Sequence, residues 1–238
     1  APHQVKYRVS HINLPVVQHQ ASPLILTVGV SDPGGAIGIQ ADLASFAAMG
    51  CHGASVITAI LISDTARIED IQHIDTDWIM DQARMVLEDM PIAAFKVGAL
   101  GSVENISVLA EIASDYPDIP LILDPFISGM PDQGMENEDM LLAMRELLLP
   151  QTTLFLASAT ELNLLAETWR DPSGADMLAA DAKEISELGC QYLFLTGTPC
   201  PLGDVANTLY SASGVVRHDV WQRLPGAFSG AGSTLSAA

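Results

Sequence analysis

The sequence predicts an α/β protein of three layers, with a largely parallel central sheet between helices and an edge hairpin toward its C-terminal end. Three observations carry this reading. β-rich and helical segments alternate from Leu24 onward, turn residues separate them, and the composition nowhere shifts enough to mark a second domain. In sheets of this kind ligands sit beyond the carboxyl ends of the strands, so the residues that follow each strand are the candidates for function.

Residues 1–23 mix Pro, His, Gln and Ser without a sustained period and read as an arm, either mobile or packed on another subunit, ahead of one domain over 24–238. Within the domain, Leu24–Val30, Ala54–Ile62, Ala93–Val97, Leu121–Leu123, Thr153–Leu156 and Tyr192–Leu195 are β-rich runs. Helical stretches alternate with them at Ile37–Met49, Asp77–Met90, Val103–Ser114, Glu138–Leu149, Glu161–Glu167 and Ala175–Leu188. Asn207–Tyr210 and Val215–Trp221 flank a Ser-Ala-Ser-Gly turn and read as the hairpin. The Gly-rich turn Gly230–Ala231–Gly232 then opens a helix at Ser233. Because the chain starts without Met and stops in a first helical turn, the domain's C-terminal helices are expected beyond Ala238.

Composition narrows the function. The chain has 238 residues, 49% of them hydrophobic, enough for a substantial core. Its apolar stretches are far shorter than the ~20 residues a membrane helix needs, and no Lys/Arg-led apolar signal opens it. A cytoplasmic protein without a membrane partner is expected. The formal charge of -19, from 29 acidic against 10 basic residues, argues against a nucleic-acid backbone or an anionic lipid as partner and favours small molecules. A phosphate handled by such a chain would rest mainly on backbone N–H groups at helix N-termini and on a metal ion. The three cysteines are too widely spaced to show a disulfide framework or a metal cluster, and the six histidines show no ligand spacing.

The segment from Asp32 to Asp42 joins a strand to a helix. It matches neither a dinucleotide fingerprint nor a P-loop, and a purely structural glycine turn accounts for it as well as a ligand-approach turn does. Gly230–Ala231–Gly232 has the form of an anion cradle at a helix N-terminus, although structural turns share this composition. Asp124 closes one strand and Glu161 follows another, so the two carboxylates could meet at a magnesium ion; an N-terminal helix acid is an equal reading of Glu161. Lys96 lies among apolar residues and is expected to be paired and partly buried. Trp78, Trp169 and Trp221 are read as packing residues.

Together these stretches resemble the hydroxymethylpyrimidine/phosphomethylpyrimidine kinases of thiamine synthesis, which have the ribokinase-like fold, over nearly the whole chain from Leu24. The resembling pieces are Ser31-Asp32-Pro33 through Gly38-Ile39-Gln40-Ala41-Asp42, Ser55-Val56-Ile57-Thr58-Ala59, Lys96-Val97-Gly98, Leu123-Asp124-Pro125, Leu147 to Gln151, Gln222 to Gly226, and Gly230 to Ala238. The resemblance implies transfer of a phosphoryl group from ATP to the primary alcohol of a pyrimidine and then to its monophosphate, with magnesium. By position, Gly230, Ala231 and Gly232 match the family's anion hole, and Ser233 takes the place of its base. Asp124 and Glu161 fall on the metal side, Thr196 and Gly197 on the nucleotide side, and Asp32, Gly38, Asp42, Ser63, Ala99 and Phe126 on the acceptor side. A homodimer is among the assemblies the resemblance implies.

The departures concentrate where the chemistry would be. Ser233 replaces the family's cysteine, Ser229 the preceding histidine, and Ser63 the glutamine expected at the pyrimidine's amino edge. Ala99 replaces a methionine, Phe126 a valine, and Ser158 the asparagine of Asn-x-x-Glu. Serine is a poor base near neutral pH. Altered specificity or reduced activity is therefore expected, with a non-catalytic ligand-binding paralogue and a pyridoxal-type kinase as the rival readings.

Overall fold

The computed structural model describes residues 22–127, 135–166, 177–226 and 228–238, so nearly all of the arm over 1–23 lies outside it, as does Trp169. Nine strands form one sheet in the order β3-β2-β1-β4-β5-β6-β7-β8-β9. They are β1 (Leu24–Ser31), β2 (His52–Ser63), β3 (Ile68–His73), β4 (Ile92–Val97), β5 (Leu121–Leu123), β6 (Leu154–Ser158), β7 (Tyr192–Pro199), β8 (Val205–Ser211) and β9 (Gly214–Trp221). From β2 through β7 the neighbours are parallel; β3 closes one edge antiparallel, and the β8–β9 hairpin closes the other, as the sequence implies.

Seven α-helices accompany the described strands: α1 (Gly38–Ala48), α2 (Thr76–Asp89), α3 (Val103–Asp115), α4 (Met135–Ala143), α5 (Ala159–Leu165), α6 (Met177–Glu187) and α7 (Ala231–Ala237). Side-chain oxygens satisfy the open N–H groups at several starts. Asp75 accepts from Asp77 N at α2, and Ser102 accepts from Asn105 N at α3. α4 runs on through a π-helical turn, Met144–Leu148, into a 3-10 turn that contains Pro150.

Strand periodicity separates two faces. Leu26, Val28, Phe95, Leu121, Phe155 and Leu193 point into the main core, where Ile79, Ile106, Met144 and Ile185 from the helices meet them. Ile25, Ala94, Ile122, Leu154 and Phe194 point the other way, toward Phe46 of α1 and Leu235 of α7, and line an apolar cavity of about 350 Å³. Helices thus lie on both sides of the sheet. Among the described residues no helix is long and apolar enough to cross a membrane.

Two expectations needed correction. No strand was anticipated at Ile68–His73, because Glu69, Asp70, Gln72 and His73 mask any alternation; such polarity is tolerated at an edge, where it also discourages further pairing. Trp78 and Trp221 do not pack inward, being 70% and 49% exposed. Lys96, in contrast, is buried and paired as expected.

Candidate active site

β1 connects outward to β2, and the chain later returns to place β4 on the other side of β1. This reversal opens a crevice beyond the carboxyl ends of β1 and β4. The turn leaving β1 is wound around the Asp32 carboxylate. One oxygen accepts from Gly34 N (3.0 Å) and Ser63 Oγ (2.6 Å), the other from Ala36 N (2.9 Å) and Ile37 N (3.1 Å). Burial works to raise the Asp32 pKa, but the Ser63 hydroxyl and the three N–H groups outweigh it and hold the carboxyl below its ordinary value.

Two adjoining cavities of about 190 Å³ each open here. Asp32, Ser63, Arg67, Phe126 and Ser229 line the first. Asp124, Phe126, Glu161, Thr196, Gly232 and Ser233 line the second. Phe126 belongs to both and, with φ of 48°, is the one non-glycine residue with positive φ among those described. A bulky side chain in that region is strained, a condition that persists where the surroundings impose it. A larger cavity of about 630 Å³ lies between α3 and α4, lined by Ser102, Glu104, Met140 and Glu146, but none of the predicted site residues reaches it.

α7 is brought to the second cavity by a close backbone approach. Gly230, with φ of 81°, precedes its first residue, and a Cβ there would fall 2.0 Å from the Ala36 carbonyl oxygen. Only glycine lets the start of α7 seat against the turn that leads into α1. No side chain caps the first turn; Ala231 N donates to the Phe228 carbonyl at 3.4 Å, and the N–H groups of Gly232 and Ser233 have no intrahelical acceptor. A Cβ on Gly232 would meet nothing within 4 Å, so the backbone is open to a ligand's approach.

The two predicted metal-side carboxylates share this cavity, but each also has a structural partner. Asp124 Oδ2 accepts from Ser236 Oγ at 2.5 Å and lies 3.7 Å from Lys96 Nζ. Glu161 and Ser158 form a reciprocal capping box at α5: Glu161 N donates to Ser158 Oγ (3.2 Å), while Ser158 N donates to Glu161 Oε2 (2.9 Å). Glu161 is thus an N-terminal helix acid, one of its two sequence readings, and it also faces the cavity. No cluster of three or more His, Cys, Asp or Glu suited to a metal occurs among the described residues. The donor set fits magnesium, which takes one or two carboxylates and completes its shell with water and phosphate oxygens.

Not every predicted residue reaches a cavity. Gly38 serves backbone packing, because a Cβ there would lie 2.1 Å from the Val30 carbonyl oxygen. Asp42 is fully buried and accepts from Thr27 Oγ1 (2.5 Å) beside Lys96 Nζ (3.0 Å). Ala99 sits in a small core cluster with Val30, Ile37, Ala59 and Leu61, and Phe126 packs over that cluster. Gly230 and Ala231 shape the entry to α7 without lining the cavity.

Gly197 follows Thr196 in a left-handed conformation, φ 67°, and its N–H donates to Asn207 Oδ1 at 3.0 Å. Asn207 is 4% exposed, and its Nδ2 has no hydrogen-bond partner among the described residues. Sequence reasoning missed this residue. The available signal was an asparagine inside a strand, where that residue type is disfavoured.

A family model described as phosphomethylpyrimidine kinase matches residues 32–238. The hydroxymethylpyrimidine/phosphomethylpyrimidine kinase of Mycobacterium bovis is 30% identical over 222 residues, covering 91% of this chain and 78% of its own. The thiamine biosynthetic bifunctional enzyme of Arabidopsis thaliana is 33% identical over 179 residues, 75% of this chain, which spans 34% of that longer protein. Among solved structures, an ADP complex of Bacillus subtilis pyridoxal kinase superposes with a TM-score of 0.80 at 25% identity, covering 92% of this chain and 82% of its own. With the architecture, the crevice and the matched length in agreement, the chain belongs to the phosphomethylpyrimidine kinase family.

Proposed function

We propose that this chain transfers the γ-phosphoryl group of ATP to the primary alcohol of a hydroxymethylpyrimidine and then to the resulting monophosphate. One observation carries the proposal. The open first turn of α7, with Gly232 and Ser233, faces Asp124 and Glu161 across one cavity, which Phe126 separates from the cavity of Asp32 and Ser63. The names of the curated relatives and the nucleotide in the Bacillus subtilis pyridoxal kinase complex support the same reading.

In this reading the acceptor lies against Ser63 and Phe126, and the nucleotide's phosphates lie between the first turn of α7 and the two carboxylates. The N–H groups of that turn stabilise charge on the transferring phosphoryl oxygens. Magnesium held by Asp124 and Glu161 would neutralise charge on the bridging phosphates. Thr196 lines the nucleotide-side wall, and Gly197 forms the turn behind it. Ser233 occupies the position from which a base would take the alcohol proton, and a loose transition state asks little of that base.

A non-catalytic, ligand-binding role is the second reading, favoured by the use of Glu161 in a capping box and by serine at position 233. Thermal denaturation with Mg-ATP, with hydroxymethylpyrimidine, with pyridoxal and with each acceptor plus nucleotide, followed by an ADP assay on the same samples, separates the cases. Stabilisation with pyrimidine-dependent ADP release supports the kinase, stabilisation without ADP supports the binding role, and release only with pyridoxal moves the acceptor to that class.

A further inference from the structure

The turn between β2 and β3 is closed on itself. Asp64 Oδ1 accepts from the N–H groups of Ala66 (2.7 Å) and Arg67 (2.9 Å), and Asp64 N donates to the Arg67 carbonyl at 3.0 Å. The root of the Arg67 side chain is thereby fixed on the wall of the acceptor cavity, which also reaches Ser229 beside the start of α7. Among the described residues no other cationic side chain lines either this cavity or its neighbour. Lys96 is committed to Asp42, Arg84 to Glu111 and Asp115, and Arg145 to Glu184.

Arg67 is held only loosely. It meets Glu69 at 2.9 Å with side chains 71% and 60% exposed, and such a surface pair contributes little. Of the carboxylates on the same wall, Asp32 accepts from Gly34, Ala36, Ile37 and Ser63, and the exposed Asp64 spends one oxygen on closing the turn. A phosphorylated acceptor brings about -1.5 to -2 charge into a chain whose net charge is already -19. A guanidinium meets a phosphate through two parallel N–H···O bonds.

Resting on the kinase reading, we propose that Arg67 determines specificity for a phosphorylated acceptor by binding its phosphate, so that transfer to the pyrimidine monophosphate depends on it far more than transfer to the free alcohol. The test measures kcat and KM of wild type, R67Q and R67K with hydroxymethylpyrimidine and with its monophosphate. R67Q is expected to lower the kcat/KM ratio of monophosphate to alcohol by about 10- to 100-fold, through KM, and R67K to recover part of it. A ratio within twofold of wild type overturns the inference and leaves the kinase reading standing. If wild type transfers to neither acceptor, the kinase reading fails on its own, and calorimetric titration of the three proteins with monophosphate and alcohol decides Arg67. Weaker monophosphate binding by R67Q then supports the role; equal binding, or none by wild type, overturns it.

Discussion

Lys96 Nζ lies 3.0 Å from Asp42 Oδ1 beneath the crevice, with the two side chains 3% and 1% exposed. The pair ties β4 to α1, and through the 3.7 Å approach of Lys96 to Asp124 it adjoins the phosphoryl cavity. Removing one member of a buried pair strands the other charge, at a cost of about 3–5 kcal/mol, whereas replacing both with apolar groups is often neutral. K96M is expected to lower unfolding stability by that amount in urea titration, and K96M/D42L to regain most of it.

Acid should act on this protein partly through Asp32. Its folded pKa is held below the ordinary value of 3.8, so its contribution is complete above that value and is lost as pH falls through the folded pKa. Asp42 runs the other way. Burial, opposed by Lys96 and Thr27, raises its pKa, and its contribution therefore declines as pH rises from 3.8 toward the folded value. D32N should flatten the acid limb of stability against pH below about 4. It should also weaken the protein at neutral pH, because an amide has one acceptor oxygen where the carboxylate accepts four bonds. Urea midpoints across pH 2.5–7 check both effects.

Asn207 is expected to act on the nucleotide alone. Without its Oδ1 the Gly197 N–H loses its acceptor, and the left-handed turn after Thr196 is freed. N207A should raise the KM for ATP about 10-fold and shift the KM for the acceptor less than twofold. Initial rates over a grid of ATP and acceptor concentrations separate the two constants.

Legibility followed local patterning. The parallel strands and the edge hairpin showed in the sequence because buried strands are apolar runs bounded by turn residues, and Lys96 among Phe95 and Val97 signalled a buried ion pair. The charged edge strand β3 did not show, since nothing in Glu69-Asp70 marks a strand until β2 lies beside it. At the site, Asp124 and Glu161 were found as residues that follow strands, and Thr196 and Ser233 through their match to the family's motifs; all four line one cavity. Motif position put Gly38, Asp42 and Ala99 on the acceptor side, and in the structure Gly38 lies against the Val30 carbonyl, Asp42 against Thr27 and Lys96, and Ala99 in a small core cluster. Arg67 was invisible because its surroundings come from chain distant in sequence, Phe126 and Ser229 sharing its cavity wall, whereas Asn207 gave only the weak signal of an asparagine in a strand, its bond to Gly197 showing once β7 and β8 pair.

Position 233 is where sequence and chemistry pull apart most. Ser233 is 5% exposed, lies in the first turn of α7, and lines the cavity that holds Asp124 and Glu161. A hydroxyl there is almost never ionised near neutral pH, whereas a thiol at a helix N-terminus has a lowered pKa and a carboxylate is already ionised. If proton removal limits turnover, S233C and S233D should raise kcat by about 10²- to 10⁴-fold, and the S233C rate should climb with pH as the thiol ionises. S233A should then match wild type within a few-fold, since the serine it removes does little. Single-turnover rates for the four proteins, taken from pH 6 to 9 with the same acceptor, make the comparison. Should S233C and S233D be no faster than wild type, proton removal is not limiting, and the acceptor wall at Ser63 and Phe126 becomes the place where the rate is set.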